Sequence, residues 1–147
     1  MFLRFFFLGV LAAVISLLAE LMLFSFSPSQ SITILALIVP IIEETLKFGL
    51  LWKGREFLPQ KFSPAFFSAA GIFGLGFAIP ETIIAESSGL ATNLIAFNTA
   101  IIIHIISALC LSSALLLFLK KKPLSAFSLF IFSFALHALY NFFVFIQ

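Results

Sequence analysis

The chain has 147 residues, of which 63% are hydrophobic and only 10% charged, with a formal net charge of +2 at pH 7 and a mean hydropathy of +1.25. That composition excludes a soluble globular domain, whose surface needs far more charge. The small, scattered net charge also speaks against a nucleic-acid partner. One cysteine, Cys110, leaves no intramolecular disulfide to form.

Apolar stretches of about 20 residues, the length that crosses a bilayer core, follow one another along the chain. They predict an all-α, polytopic membrane bundle of about five transmembrane helices, forming a single domain over residues 1–147. The first span is expected at 5–26. It follows Arg4 as a secretory signal would, but runs on past Glu20 with no clear small-residue cleavage site, so it reads as an uncleaved span. The Ser-Pro-Ser-Gln segment at 27–30 ends it. The second span is expected at 32–52, followed by Lys53-Gly54-Arg55 and a short amphipathic connector at 56–63. The third is expected at 64–85 and ends in Glu86-Ser87-Ser88-Gly89. The fourth, at 93–119, ends in Lys120-Lys121-Lys122-Pro123, and the fifth is expected at 124–146.

The basic residues orient the bundle. Arg4 precedes the first span. Lys53, Arg55 and Lys61 separate the second and third, and Lys120, Lys121 and Lys122 separate the fourth and fifth. The other two connections carry no Lys or Arg. The excess of cations on cytoplasmic loops then predicts a cytoplasmic N-terminus and an outside C-terminus in a multi-pass protein of the cell membrane.

Polar residues inside the spans are the informative feature. The second span carries Glu43, Glu44 and Lys47, the third Glu81, the fourth Asn98 and His104, and the fifth His137 and Asn141. A charged side chain at a helix centre costs about 2.5–3.5 kcal/mol on insertion scales, so these groups must face protein or water. Glu43 and Glu44 stand four and three residues before Lys47, a spacing that suits a structural ion pair. That reading leaves Glu81 and both histidines unexplained. At about 1.5 Å of rise per residue, Glu43 and Glu44 lie roughly 12–14 Å from the cytoplasmic end, and His137, His104, Glu81 and Asn141 roughly 20–25 Å. Within the few-residue uncertainty of the boundaries, these depths form one broad middle layer and suggest one site.

Local sequence agrees. Pro40 precedes Glu43 by one helical turn and Pro80 directly precedes Glu81. Each proline frees a backbone carbonyl and can kink its helix, which in a membrane calls for protein partners or a wet pocket. Gly71, Gly74 and Gly76, with Gly49, permit close helix contact. His137 and Asn141 are four apart on one helical face, where an imidazole and a carboxamide can polarise a carbonyl and hold its oxyanion.

Rival chemistries leave no trace. The chain has no Asp for an aspartate dyad and no His-Glu-x-x-His motif. Ser87-Ser88-Gly89 lacks the turn of a serine nucleophile, Ser107 is a weak candidate, and Cys110 lies on a different helical face from His104. What remains is a glutamate acting as general base on water, helped by histidines and an asparagine. Zinc held by a glutamate and two histidines stays open as an alternative.

Ile42-Glu43-Glu44-Thr45-Leu46-Lys47 resembles the Glu-Glu-x-x-Lys motif of the PrsW family of intramembrane proteases. Gly74-Leu75-Gly76-Phe77-Ala78-Ile79-Pro80-Glu81 resembles its Gly-x-Gly-Phe segment ending in Glu. His104 looks like its third-motif histidine, and His137-Ala138-Leu139-Tyr140-Asn141 like its closing His-x-x-[Trp/Tyr]-Asn motif. The four occur in family order between Glu43 and Asn141. Thr82 follows Glu81 where the family usually has Asn. The family belongs to the clan of CAAX-prenyl and bacteriocin-processing proteases.

The resemblance implies an intramembrane endopeptidase that cuts a membrane-anchored protein, of the anti-sigma-factor kind for example. Glu43 would be the base, supported by Glu44 with Lys47, and Glu81 would help hold the water. His104, His137 and Asn141 would orient that water and stabilise the oxyanion. No cofactor is expected to be required. In the zinc-dependent alternative, Glu43, Glu81, His104 and His137 would be the ligands. Membrane lipids are the other expected partner. A proton or ion pathway and a membrane scaffold are the non-enzymatic alternatives.

Overall fold

The computed structural model describes residues 1–26, 31–87 and 94–146. They form an all-α bundle of five long helices: α1 (Phe2–Phe26), α2 (Ile32–Lys53), α3 (Pro64–Ser87), α4 (Leu94–Leu119) and α5 (Pro123–Ile146). A 3₁₀ turn at Arg55–Phe57 lies in the expected connector. The largest difference from expectation is at α1, which begins at Phe2 rather than Phe5. The expected turns at 27–30 and 88–89, and the start of the fourth span at 93, lie outside the described residues.

Helices α1, α3, α4 and α5 are long and apolar enough to cross a membrane. Helix α2 is equally long at 22 residues, but Glu43, Glu44 and Lys47 interrupt its apolar run. All three are buried inside the bundle, so the face α2 turns outward is apolar, with Ile34, Leu37 and Ile41 exposed. Lipid offers no hydrogen bonds to the backbone, and a continuous helix satisfies its own. Pro40 and Pro80 accordingly sit inside unbroken helices.

The helix ends follow from local chemistry. Ser31 caps α2 by accepting a hydrogen bond from the Ile34 N–H at 3.3 Å. Pro64 and Pro123 occupy first helical positions, where a missing N–H costs nothing. At the end of α4, Lys121 takes a left-handed φ of 59°. The N–H groups of Lys121 and Lys122 then close on the carbonyls of Phe118 and Leu117, a Schellman turn that sends the chain straight into α5.

The basic connections gather at one end of the bundle. The Arg4 guanidinium lies 4.6 Å over the Phe57 ring and Lys120 Nζ lies 5.3 Å over Phe62. These contacts draw together the start of α1, the α2–α3 connection and the α4–α5 turn.

Around the bundle, α2 packs on α5, α5 on α4, α4 on α3 and α3 on α1, and α1 closes the circuit onto α2. Helix α2 also reaches α4 across the middle, whereas α2 and α3 make no close backbone approach among the described residues. Small residues set the spacing. A Cβ on Gly74 would stand 2.6 Å from the His104 carbonyl oxygen and 2.7 Å from Ile105 Cα, so α3 can approach α4 only because this position is glycine. Gly9 and Gly76 do the same between α1 and α3, each meeting the other helix's backbone. Gly49, expected to help, faces open space, and Gly71 only grazes Ile105. The core below the polar layer is apolar, with Phe5, Leu51, Phe66, Phe73, Leu111 and Leu115 fully buried.

Candidate functional site

Every helix sends a polar side chain into one buried layer. Helix α2 supplies Glu43, Glu44 and Lys47, spaced so that all three point the same way. Helix α3 supplies Glu81, α4 supplies His104 and Ser107, and α5 supplies Ser133 and His137. Helix α1 brings Glu20, whose Oε1 accepts from Ser16 one turn earlier at 2.9 Å. Glu44, Lys47, His104, Ser107, Ser133 and His137 are fully buried, Glu43 nearly so. The Glu81 side chain is 28% exposed and marks the open side.

The two adjacent glutamates have different surroundings. Glu44 is saturated. Its Oε1 receives Lys47 Nζ at 2.7 Å and lies 2.9 Å from His137 Nδ1. Its Oε2 receives the Ser107 and Ser133 hydroxyls, each at 2.5 Å. A carboxylate offers about four lone-pair sites, and these four neighbours fill them, leaving no capacity to take a proton from water. Glu43 has one long contact, to Lys47 Nζ at 3.4 Å. Its Oε2 stands 3.7 Å from His137 Nε2 and 4.0 Å from His104 Nδ1, both beyond hydrogen-bond length.

Lys47 is the hub. Its Nζ also lies 3.0 Å from His104 Nδ1 and 4.0 Å over the Phe77 ring, so a single ammonium serves two carboxylates, an imidazole and an aromatic face. On the other side of its ring, His104 Nε2 approaches Glu81 Oε2 to 2.5 Å. That contact is close enough for an ion pair yet off hydrogen-bond alignment, since neither atom has an aligned partner. The two imidazoles meet edge to face, with centroids 4.9 Å apart.

The residues expected at the site thus fall into two groups. Glu43, Glu44, Lys47, Glu81, His104 and His137 converge within contact distance. Asn141 is buried one turn beyond His137 but is not among the residues that hydrogen-bond within the cluster. Thr82 turns its hydroxyl back to the carbonyls of Ala78 and Ile79, and Asn98 is exposed. Sequence reasoning passed over Glu20 and the hydroxyls of Ser16 and Ser133, and weighed Ser107 only as a weak nucleophile. The insertion cost that singled out Glu81 applies equally to Glu20 and is the signal that could have found it. The serines are small enough to hide in any membrane helix and give no such signal.

The expected water-lined cavity is instead a crevice of about 140 Å³ between α1, α2 and α3, reaching from Ser16 and Glu20 past Phe77 to Glu43 and Glu81. Its walls are too close to pass a water-sized sphere. The Phe77 ring is one of its walls, and Lys47 Nζ stacks on that ring from 4.0 Å. Glu20 and Glu81 are among its lining residues.

Glu43, His104 and His137 place ligand-type atoms within 4.8 Å of one another, close enough for one ion. Zinc needs at least three free protein donors at about 2.0–2.2 Å. In His104, Nδ1 faces the Lys47 ammonium, while Nε2, beside Glu81 Oε2, has no hydrogen-bond partner, and neither does Nε2 of His137.

No protein-family model, curated protein or solved structure matches this chain.

Proposed function

We propose that this chain is an intramembrane endopeptidase of the glutamic type, acting on a membrane-anchored protein in the manner of the PrsW family that its four motifs resemble. One observation carries the reading. Glu43 is the buried carboxylate with spare accepting capacity, and it faces the partnerless Nε2 of His137 at 3.7 Å, while its neighbour Glu44 is saturated.

In this mechanism the Glu20 and Glu81 side chains swing aside to widen the crevice, and a water reaches Glu43 beside His137. Glu43 takes one of its protons as the water oxygen bonds to the scissile carbonyl carbon. The tetrahedral oxyanion accepts a hydrogen bond from the Asn141 carboxamide, one turn from His137. The proton on Glu43 then passes to the amide nitrogen as the C–N bond breaks, giving an acid and an amine. Lys47 holds the two carboxylates in place, and Glu81 lines the approach. Every step uses this chain's own side chains. The cationic end would face the cytoplasm of a cell-membrane protein, which puts Glu81 and the crevice towards the outer half of the bilayer.

A proton pathway is supported less well. The polar chain from Glu20 to Glu44 stops at Ser107 and Ser133, and Phe5, Leu51, Phe66 and Leu115 close the bundle beyond it. The test is cleavage of a membrane-anchored reporter by the reconstituted chain, with and without chelator. Glu43→Gln is expected to lower the rate by about 10²–10⁴-fold, the span for losing a general base, with insertion unchanged and wild-type cleavage insensitive to chelator. A Glu43→Gln protein that cleaves at the wild-type rate sinks the assignment.

A further inference from the structure

We propose that the two buried histidines are locked in opposite tautomers, Nε2–H in His104 and Nδ1–H in His137, so that only His137 offers a free ring lone pair to the site. Each ring is read from its neighbours. An ammonium has donors and no acceptor, so the Lys47 Nζ at 3.0 Å makes His104 Nδ1 an acceptor. A neutral imidazole with a bare Nδ1 carries its proton on Nε2, and that proton lies towards Glu81 Oε2. Bare nitrogen against a carboxylate oxygen at that separation would set two lone pairs against each other.

His137 is the mirror case. Its Nδ1 lies 2.9 Å from Glu44 Oε1. Glu44 is held by the ammonium of Lys47 and the hydroxyls of Ser107 and Ser133, so it acts as an anchored acceptor. The His137 proton therefore sits on Nδ1. Its Nε2 is fully buried without a hydrogen-bond partner. A carboxylate that fixes a histidine through Nδ1 and leaves Nε2 to act is a recurrent device at active sites.

The roles divide accordingly. His137 Nε2 and Glu43 Oε2, 3.7 Å apart, form a pair of acceptors able to hold one water by its two hydrogens. His104 turns its Nε2–H towards Glu81 Oε2 without hydrogen-bond alignment. Ser107 and Ser133 touch neither water nor substrate. They are positioning residues that act through Glu44 on the protonation of His137. In this tautomer His137 cannot donate to an oxyanion, so that task falls to Asn141. These roles rest on the peptidase reading; the tautomers do not.

The chain contains two histidines, so ring ¹⁵N spectra of the full-length, histidine-labelled protein in lipid nanodiscs, purified without a polyhistidine tag, resolve the matter directly. Each ring is expected to show one protonated and one bare nitrogen near neutral pH. Through-space transfer from ¹⁵N-labelled lysine identifies His104, and its bare nitrogen is expected to be Nδ1. The bare nitrogen of the other ring is expected to be Nε2. The Ser107→Ala/Ser133→Ala double variant is expected to mix the His137 tautomers and leave His104 unchanged. Two rings in one tautomer, a doubly protonated ring, or the reversed assignment overturns the proposal on the wild-type spectrum alone, even if the variant does not insert. Opposite tautomers in a protein that cleaves nothing would keep this inference and sink the peptidase.

Discussion

Replacing Lys47 with Met keeps the length of the side chain and deletes the ammonium at the hub. Removing one partner of a buried ion pair typically costs about 3–5 kcal/mol, because the other charge is left uncompensated. The structure says where that cost falls. Without Lys47, Glu44 keeps three donors, from Ser107, Ser133 and His137. Glu43 keeps none, since its nearest imidazole nitrogens are 3.7 and 4.0 Å away. The uncompensated charge is therefore mainly that of Glu43. Glu43→Gln added to Lys47→Met removes it and is expected to restore most of the lost stability. Glu44→Gln added to Lys47→Met leaves Glu43 charged and spoils the hydroxyl network, and is expected to restore less than about half of the same loss. Unfolding free energies of wild type, the three single variants (Lys47→Met, Glu43→Gln and Glu44→Gln) and the two double variants in one detergent, analysed as two double-mutant cycles, measure the difference. Equal rescue by the two glutamine substitutions, or a Lys47→Met protein as stable as wild type, would refute the placement of Lys47 as counter-ion to both acids.

The packing and the crevice give further expectations. Gly74→Ala pushes α3 away from the α4 backbone and is expected to cost about 1–3 kcal/mol, the range for overpacking a tight contact, while Gly49→Ala, which meets open space, is expected to be neutral or slightly stabilising by thermal unfolding. Ser107→Ala and Ser133→Ala each remove one hydrogen bond to a charged acceptor and are each expected to cost about 1.5–3 kcal/mol; a stability indistinguishable from wild type for both would mean that Glu44 is not anchored there. Glu20→Gln keeps an acceptor for Ser16 and is expected to leave unfolding unchanged but to alter the cleavage rate by less than about tenfold, well short of the loss at a general base. An unchanged rate would place Glu20 outside the route to Glu43.

What the sequence by itself determined was the helices and the layer. Span lengths follow from bilayer thickness and from the backbone's need to bond internally, and both are local properties, so Phe2–Phe26 and its successors were legible from hydropathy to within a few residues. The insertion cost of Glu43, Glu44, Lys47, Glu81, His104 and His137 was equally local, and it required them to meet somewhere inside. Which glutamate is free and which is saturated was a matter for tertiary structure alone. Glu43 and Glu44 are chemically identical neighbours, and they are told apart by hydroxyls on α4 and α5 that stand 63 and 89 residues away in the chain. The same holds for Glu20, whose place at the crevice depends on α1 packing against α2 and α3, and for the crevice, whose walls come from all three helices. Hydropathy reports how costly a side chain is in lipid; only the packed bundle decides which donors and acceptors it meets there.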